Sequence, residues 1–270
     1  MTMSGQVVVI TGAGRGLGAG MARGLAAKGA RIALLDRDAG LLADVEKDCP
    51  GARSWTVDVT DAARLTEVAA EVGAHFGGVD VVVANAGIGT GAPFLLADPV
   101  EYERVLEVNL MGSVRTVRAF LPMVVERRGH VLQIASLAAF TPAPIMSAYC
   151  ASKAGVESFA HCLRGELAHH GVTVGVAYLG FTDTDMVREA DSDPVLAAMR
   201  SSLPKPFGGT SPAGPAIARL VKGIEGRKAH VYGQPWLRVV PFLRGALPVL
   251  SARAGATKMP EAEAALRARE

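Results

Sequence analysis

Between residues 6 and 178 the chain alternates short aliphatic and β-branched runs with longer stretches in which apolar positions recur every three or four residues. The short runs, at 7–10, 31–36, 54–58, 79–85, 130–134 and 173–178, predict strands. Most are continuously apolar rather than alternating, as parallel strands are when helices cover both faces. The longer stretches, at 16–28, 61–76, 99–126 and 148–169, carry the period of amphipathic helices. Such alternation predicts an α/β fold: a doubly wound, mostly parallel sheet of six to seven strands flanked by helices, with right-handed crossovers. No linker or internal repeat interrupts it, so residues 1–270 are expected to form one domain.

The pattern changes after Asp185. Asp191-Ser192-Asp193-Pro194 and Pro204-Lys205-Pro206-Phe207-Gly208-Gly209 read as loops flanking a short helix. Residues 185–215 follow a strand at the end of the sheet where α/β proteins bind ligands, which favours a substrate lid over a disordered insertion.

Residues 226–258 form a second departure, an apolar basic extension. They hold Arg227, Lys228, Arg238, Arg244, Arg253 and Lys258 and no Asp or Glu. Their centre, 235–250, carries Trp236 and is interrupted by Pro235, Pro241 and Pro248. It is too short and broken to span a bilayer, but its composition is that of a membrane-surface segment. Packing over a substrate pocket and packing on another subunit are favoured over peripheral membrane contact, and each suits a lipophilic substrate. Residues 260–270 read as a frayed helix or a disordered end.

Composition excludes other classes. A net charge of +2, with 5% aromatic residues and no dense basic block, argues against nucleic acid as a partner. Cys49, Cys150 and Cys162 are odd in number and lack metal-ligand spacing, so neither a metal site nor a disulfide framework is expected. A reducing, cytoplasmic setting fits, and the start of the chain shows no signal-peptide pattern.

Candidate chemistry begins at the first strand, which runs into Thr11-Gly12-Ala13-Gly14-Arg15-Gly16-Leu17-Gly18 and then a helical pattern. Glycine permits a sharp turn and close backbone approach, and amides at a helix N-terminus hold a pyrophosphate. A strand–glycine turn–helix context therefore points to a Rossmann-type dinucleotide site. Asp36 ends the second strand, eighteen positions beyond Gly18, near the spacing of an acid that binds the adenosine ribose. It would repel a 2′-phosphate, which favours NAD. Arg37 beside it and Arg15 in the loop could grip that phosphate, so NADP is not excluded.

Tyr149 and Lys153 are four residues apart in a helical pattern and share one face. A free phenol titrates near 10, too high for efficient proton exchange at neutral pH. A lysine cation about 4 Å away, at an effective dielectric of about 20, favours phenolate by about 4 kcal/mol. Tyr149 is thus expected to act as general acid/base with Lys153 lowering its pKa. Ser136, just past an apolar strand, can position the substrate oxygen.

Over residues 5–188 these motifs, in this order, resemble the classical short-chain dehydrogenase/reductase family. Thr11–Gly18 resembles its cofactor loop, Asp58-Val59 its adenine-contacting pair and Asn85-Ala86-Gly87 the motif closing its fourth strand. Asn109, Ser136, Tyr149 and Lys153 match its catalytic tetrad. The resemblance implies that Lys153 also bonds the nicotinamide ribose and that Asn109 anchors a water in a proton relay. In Leu179-Gly180-Phe181-Thr182-Asp183-Thr184, Gly180, Thr182 and Thr184 fall in the segment that meets the nicotinamide in relatives, Thr184 at the position bonding its carboxamide. Leu179 stands where the family usually has proline, so a less rigid loop is expected there.

The function implied is NAD(P)-dependent hydride transfer between nicotinamide and a secondary alcohol or ketone. The resemblance also implies a homodimer or homotetramer built on the helices at 99–126 and 148–169. The alternative is a non-catalytic, cofactor-sensing regulator on the same fold, against which the intact Ser136, Tyr149 and Lys153 argue. Epimerisation or dehydration of a nucleotide sugar is disfavoured by the lack of a large C-terminal substrate domain.

Overall fold

The computed structural model describes residues 2–201 and 203–268. Seven strands form one parallel sheet: β1 (Val7–Thr11), β2 (Arg31–Asp36), β3 (Arg53–Thr56), β4 (Val81–Ala84), β5 (His130–Ile134), β6 (Thr173–Tyr178) and β7 (His230–Tyr232). They lie in the order β3-β2-β1-β4-β5-β6-β7. The chain therefore runs outward from β1 in one direction, then crosses back past it, with Val8 paired to Ile32 on one side and Val81 on the other. Ligands of doubly wound sheets bind at this reversal, beyond the carboxyl ends of the strands.

Between the strands lie α1 (Gly16–Ala26), α2 (Ala39–Asp48), α3 (Ala62–Phe76), α4 (Pro99–Leu106), α5 (Gly112–Glu126), α6 (Ser147–Leu167), α7 (Asp185–Ser192), α8 (Pro194–Ser201) and α9 (Ala213–Glu225), with α10 (Leu247–Arg267) closing the chain. Local chemistry fixes several starts. Asp38, Asp61 and Asp98 accept from the backbone N–H groups of Leu41, Arg64 and Val100, and Pro99 occupies the first turn of α4. Gly77, at φ 78°, ends α3 in the left-handed conformation that glycine adopts without strain.

Alternate strand residues feed two cores. Val7 and Val9 face α3, α5 and α6 with Leu35 and Val131; Val8 and Ile10 face α1, α2 and α9 with Ile32 and Leu34. Each such side chain contributes roughly 1.5–3 kcal/mol by leaving water, which is why the strands read as unbroken apolar runs.

Three features depart from the pattern expected of the sequence. The helical stretch 99–126 is two helices joined by a π-type turn at Glu107–Met111, which places Asn109 in the irregular backbone. The apolar extension does not begin as a separate element: His230–Tyr232 completes the sheet beside β6. Beyond it, Pro235–Leu243 winds as 3₁₀ helix, and α10 continues through residues expected to fray.

Candidate active site

The glycine loop, from the end of β1 to α1, sits at the reversal of the strand order. Gly12 and Gly16 adopt φ of 65° and 56°. A Cβ on Gly18 would lie 1.9 Å from the Gly12 carbonyl oxygen, and one on Gly12 2.9 Å from Ala86 Cα. Only glycine fits either place. Leu17 is partly buried against the core. Helix α1 begins without a side-chain cap, leaving first-turn N–H donors for an anion.

The loop is fastened from two directions. Asn85 Nδ2 donates to the carbonyls of Thr11 and Gly12, at 2.9 and 3.1 Å. Thr11 Oγ1 accepts from the N–H groups of Asn85 and Ala86. Asp36, at the tip of β2, accepts from Gly14 N at 2.9 Å and from Asp38 N. A glycine cradle, uncapped amides and a carboxylate converge there, and this set fits a dinucleotide.

The neighbouring candidates differ in their surroundings. Arg15 reaches Glu189 on α7 at 2.7 Å. Arg37 is exposed. Burial pushes the Asp58 carboxyl up, but hydrogen bonds from Thr60 and the Arg37 and Arg104 charges outweigh it, so the group titrates below its ordinary value. Val59 is buried against Gly112.

The four candidate catalytic residues come together across 44 positions of sequence, from Asn109 to Lys153. Ser136 follows β5, and Tyr149 and Lys153 lie on the first turns of α6. The Ser136 hydroxyl stands close enough to the Tyr149 phenol to favour its ionised form. Ser136 Oγ also donates to the Leu179 carbonyl and accepts from Ala138 N. Lys153 Nζ donates to the Ile134 carbonyl at 3.0 Å and lies 5.7 Å from the Tyr149 ring centre.

Burial pushes the Tyr149 phenol up, an effect partly opposed by Ser136, and pulls Lys153 down to about 8. Asn109, fully enclosed in its π-type turn, clasps Ile88 by accepting from its N–H and donating to its carbonyl, and donates also to Ser152 Oγ. A Cβ on Gly87 would stand 3.1 Å from Asn109 Oδ1, so this strand end and the turn are packed backbone to side chain.

The loop after β6 holds Gly180, Thr182 and Thr184. Its clamp is Gln234, a residue that the motifs did not single out. Gln234 Oε1 accepts from Gly180 N at 2.9 Å, and its Nε2 donates to Thr182 Oγ1 at 3.1 Å. Thr182 Oγ1 donates to the Gly180 carbonyl, and Thr184 Oγ1 to that of Thr182. The rigidity expected to be missing at Leu179 is supplied by this clamp and by burial of Leu179 itself.

At the start of α6 a cleft of about 220 Å³ is bordered by Thr90, Ala92, Tyr102, Ile145 and Ser147. Helices α7 and α8 approach it: Cβ atoms built on Gly89 and Gly91 would lie 3.8 Å from Met186 Sδ and 2.5 Å from Leu196 Cδ2. The first of these is also 3.8 Å from the Tyr149 ring. Residues 185–201 thus bring apolar side chains beside the tyrosine. The extension docks nearby, with Arg244 paired at 2.6 Å to the buried Glu157 of α6, which also accepts from Tyr178 Oη. Among the described residues, no His, Cys, Asp or Glu cluster could hold a metal ion.

The model of the short chain dehydrogenase family matches residues 6–195. The chain belongs to the short-chain dehydrogenase family. Its relatives include the Mycobacterium tuberculosis protein named "Probable oxidoreductase EphD", 39% identical over 187 residues that make up 67% of this chain and 32% of EphD. The chain therefore spans about a third of that relative's length. A short-chain dehydrogenase/reductase from Burkholderia phymatum, solved in complex with NAD, superposes with a TM-score of 0.79 at 26% identity, covering 89% of this chain and 93% of that one. A metagenomic short-chain oxidoreductase in complex with NADP gives a TM-score of 0.64 at 36% identity, over 67% and 84% of the two chains. The fold and family are those of NAD(P)-binding oxidoreductases, and both cofactors occur among its structural neighbours.

Proposed function

We propose that the chain interconverts a secondary alcohol and the corresponding ketone, with Tyr149 exchanging the proton at the substrate oxygen. The observation that carries this reading is the placing of Ser136 beside the Tyr149 phenol at the carboxyl edge of the sheet, with Lys153 Nζ 5.7 Å from the tyrosine ring centre. A nicotinamide dinucleotide, when bound, supplies or accepts the hydride. The glycine loop and α1 would hold its pyrophosphate, Asp36 its adenosine ribose, Asp58 and Val59 its adenine, and Asn85 to Gly87 with residues 180–184 its nicotinamide half.

Because burial raises the phenol, Tyr149 rests protonated, as reduction requires. Ser136 orients the substrate oxygen toward it. Lys153, 5.7 Å from the centre of the tyrosine ring, sets a cation beside the ring, and a nearby cation favours the phenolate. That offsets part of the burial and lets Tyr149 take a proton back in oxidation. Asn109 holds the backbone around Ile88 and the π-type turn in register with Lys153.

Asp36 favours NAD, and the pairing of Arg15 with Glu189 supports that preference by engaging the nearer guanidinium. Ile145 in the cleft, Leu196 against Gly91 on its border and Met186 near Tyr149 support a lipophilic substrate, with residues 185–215 as its lid. Exposed Phe94, Leu95 and Val100, at 75%, 72% and 72%, support self-association along α4 as a dimer or tetramer.

The deciding experiment is Tyr149→Phe with cofactor binding followed in parallel. Turnover should fall by about 10²–10⁴-fold, the range of general acid–base catalysis, while NADH binding is retained. Surviving turnover defeats the mechanism, and tighter binding of NADPH than NADH defeats the assignment of Asp36.

A further inference from the structure

Pro235–Leu243 is 3₁₀ helix, in which side chains three apart stack into ridges. One ridge, Leu237 and Val240, is buried and anchors the segment to the core. The next climbs outward, from Trp236, packed edge-on to Phe207, through Val239 to Phe242. Val239 is 59% exposed and Phe242 88%. Leu243 and, on the first turn of α10, Val249 and Leu250 extend the same apolar exposure. The segment is pinned from beneath by Arg244 on Glu157, so the exposed tip belongs to a fixed element.

The charges around this tip have one sign. Arg238 is exposed beside Val239, and Arg253 lies four residues from Val249 and three from Leu250, on their face of α10. No Asp or Glu occurs between residues 226 and 260. A second copy related by a two-fold axis would set these arginines against their counterparts, with no acid in the segment to meet them. An anionic bilayer offers apolar depth and negative charge in one surface. No helix among the described residues is long and apolar enough to cross a membrane.

We propose that residues 236–253 form a docking face for an anionic lipid surface, with Val239, Phe242, Leu243, Val249 and Leu250 entering the interface and Arg238 and Arg253 meeting the headgroups. Beneath this face, Ser251 Oγ donates to the Pro142 carbonyl, and a Cβ on Gly255 would lie 2.7 Å from Pro144 Cγ. Helix α10 thus rests on the loop between Ser136 and Tyr149, and docking would turn the cleft side of the molecule toward lipid. The docking does not depend on the reaction proposed for Tyr149.

Co-flotation of the full chain with phosphatidylcholine vesicles, with and without phosphatidylglycerol, tests this. Binding should require phosphatidylglycerol and weaken with added salt. Replacing Phe242 and Leu250 with serine should abolish it, Phe242→Trp should preserve it, and Arg238→Gln and Arg253→Gln should each lower partitioning about fivefold. These side chains are exposed, so thermal melting serves as the control for folding. No flotation of the unmodified chain with phosphatidylglycerol vesicles overturns the proposal. So does flotation indifferent to the serine replacements, or dissociation of an oligomer by Phe242→Ser, which would mark the face as a contact between copies.

Discussion

Arg15 Nη1 lies 2.7 Å from Glu189 Oε1, tying the glycine loop to the helix that follows Thr184. Both side chains are about half exposed or more, at 49% and 64%, so the pair adds little to folding stability. Its consequence is competitive: a 2′-phosphate reaching for Arg15 must displace a carboxylate that already holds it. Glu189→Gln should therefore tighten NADPH binding by up to about fivefold, the equivalent of the roughly 1 kcal/mol ceiling for an exposed pair, and leave NADH binding and the melting temperature unchanged. Fluorescence titration of both cofactors reads this directly; equal effects on the two would show that Arg15 does not discriminate between them.

Gln234 joins the end of β7 to the loop after β6 through Gly180 and Thr182. Gln234→Ala leaves the Gly180 N–H and the Thr182 hydroxyl short of a buried partner, which costs roughly 1–3 kcal/mol. The loosened loop should raise the KM for the nicotinamide cofactor about tenfold, with a smaller change in kcat. Gln234→Glu keeps the acceptor for Gly180 N and should recover part of the loss. A cofactor KM unmoved by Gln234→Ala would confine its role to stability.

These two contacts show where sequence ran out. The strands were readable because burial on both faces leaves unbroken apolar runs such as Val81–Ala84. Tyr149 and Lys153 were readable because four residues is one helical turn. The glycine loop was readable because Gly12 and Gly18 leave no room for a side chain. Glu189, by contrast, is 174 residues from Arg15, and Gln234 is 54 from Gly180. Only the winding of the sheet brings them together. The three residues of β7 were hidden inside an extension judged by composition, since a strand so short has no periodicity of its own. The π-type turn at Asn109 interrupts a pattern that otherwise reads as one helix from residue 99 to residue 126.

The buried Glu157 receives Tyr178 Oη at 2.9 Å and Arg244 at 2.6 Å, which fixes the extension to α6. Arg244 is half exposed and Glu157 nearly enclosed, so removing the arginine strands a carboxylate. Arg244→Met should destabilise by about 2 kcal/mol, below the 3–5 kcal/mol range for a wholly buried pair. Glu157→Gln keeps a partner for Tyr178 without the charge and should cost less. Combined, the two changes should destabilise less than their sum, because Arg244→Met harms chiefly through the charge that Glu157→Gln removes. Denaturant unfolding of the two single variants and the double variant measures this coupling, and strict additivity would show that Arg244 acts through packing alone.

His130, on β5, is completely enclosed; its Nδ1 bonds the Thr173 hydroxyl and its Nε2 has no hydrogen-bond partner among the described residues. Burial, with a smaller contribution from the Arg227 charge, pulls its pKa from 6.5 to about 4. Between those values the unfolded chain binds a proton that the native chain refuses, so acid favours unfolding. The neutral ring's full contribution is present above pH 6.5 and is lost progressively as pH falls toward 4. Each step of one in pH across that window removes about 1.36 kcal/mol, and the whole loss approaches about 3 kcal/mol. His130→Asn can keep a hydrogen bond to Thr173 and cannot titrate in this range. The variant should be less stable at neutral pH, because the smaller side chain leaves a void, but should lose less on acidification. The carboxylates titrate alike in both proteins, so the difference between their stability–pH curves isolates His130. Urea midpoints at several values between pH 4 and pH 7 would give that difference, and parallel curves would mean that the ring accepts its proton without opening the sheet.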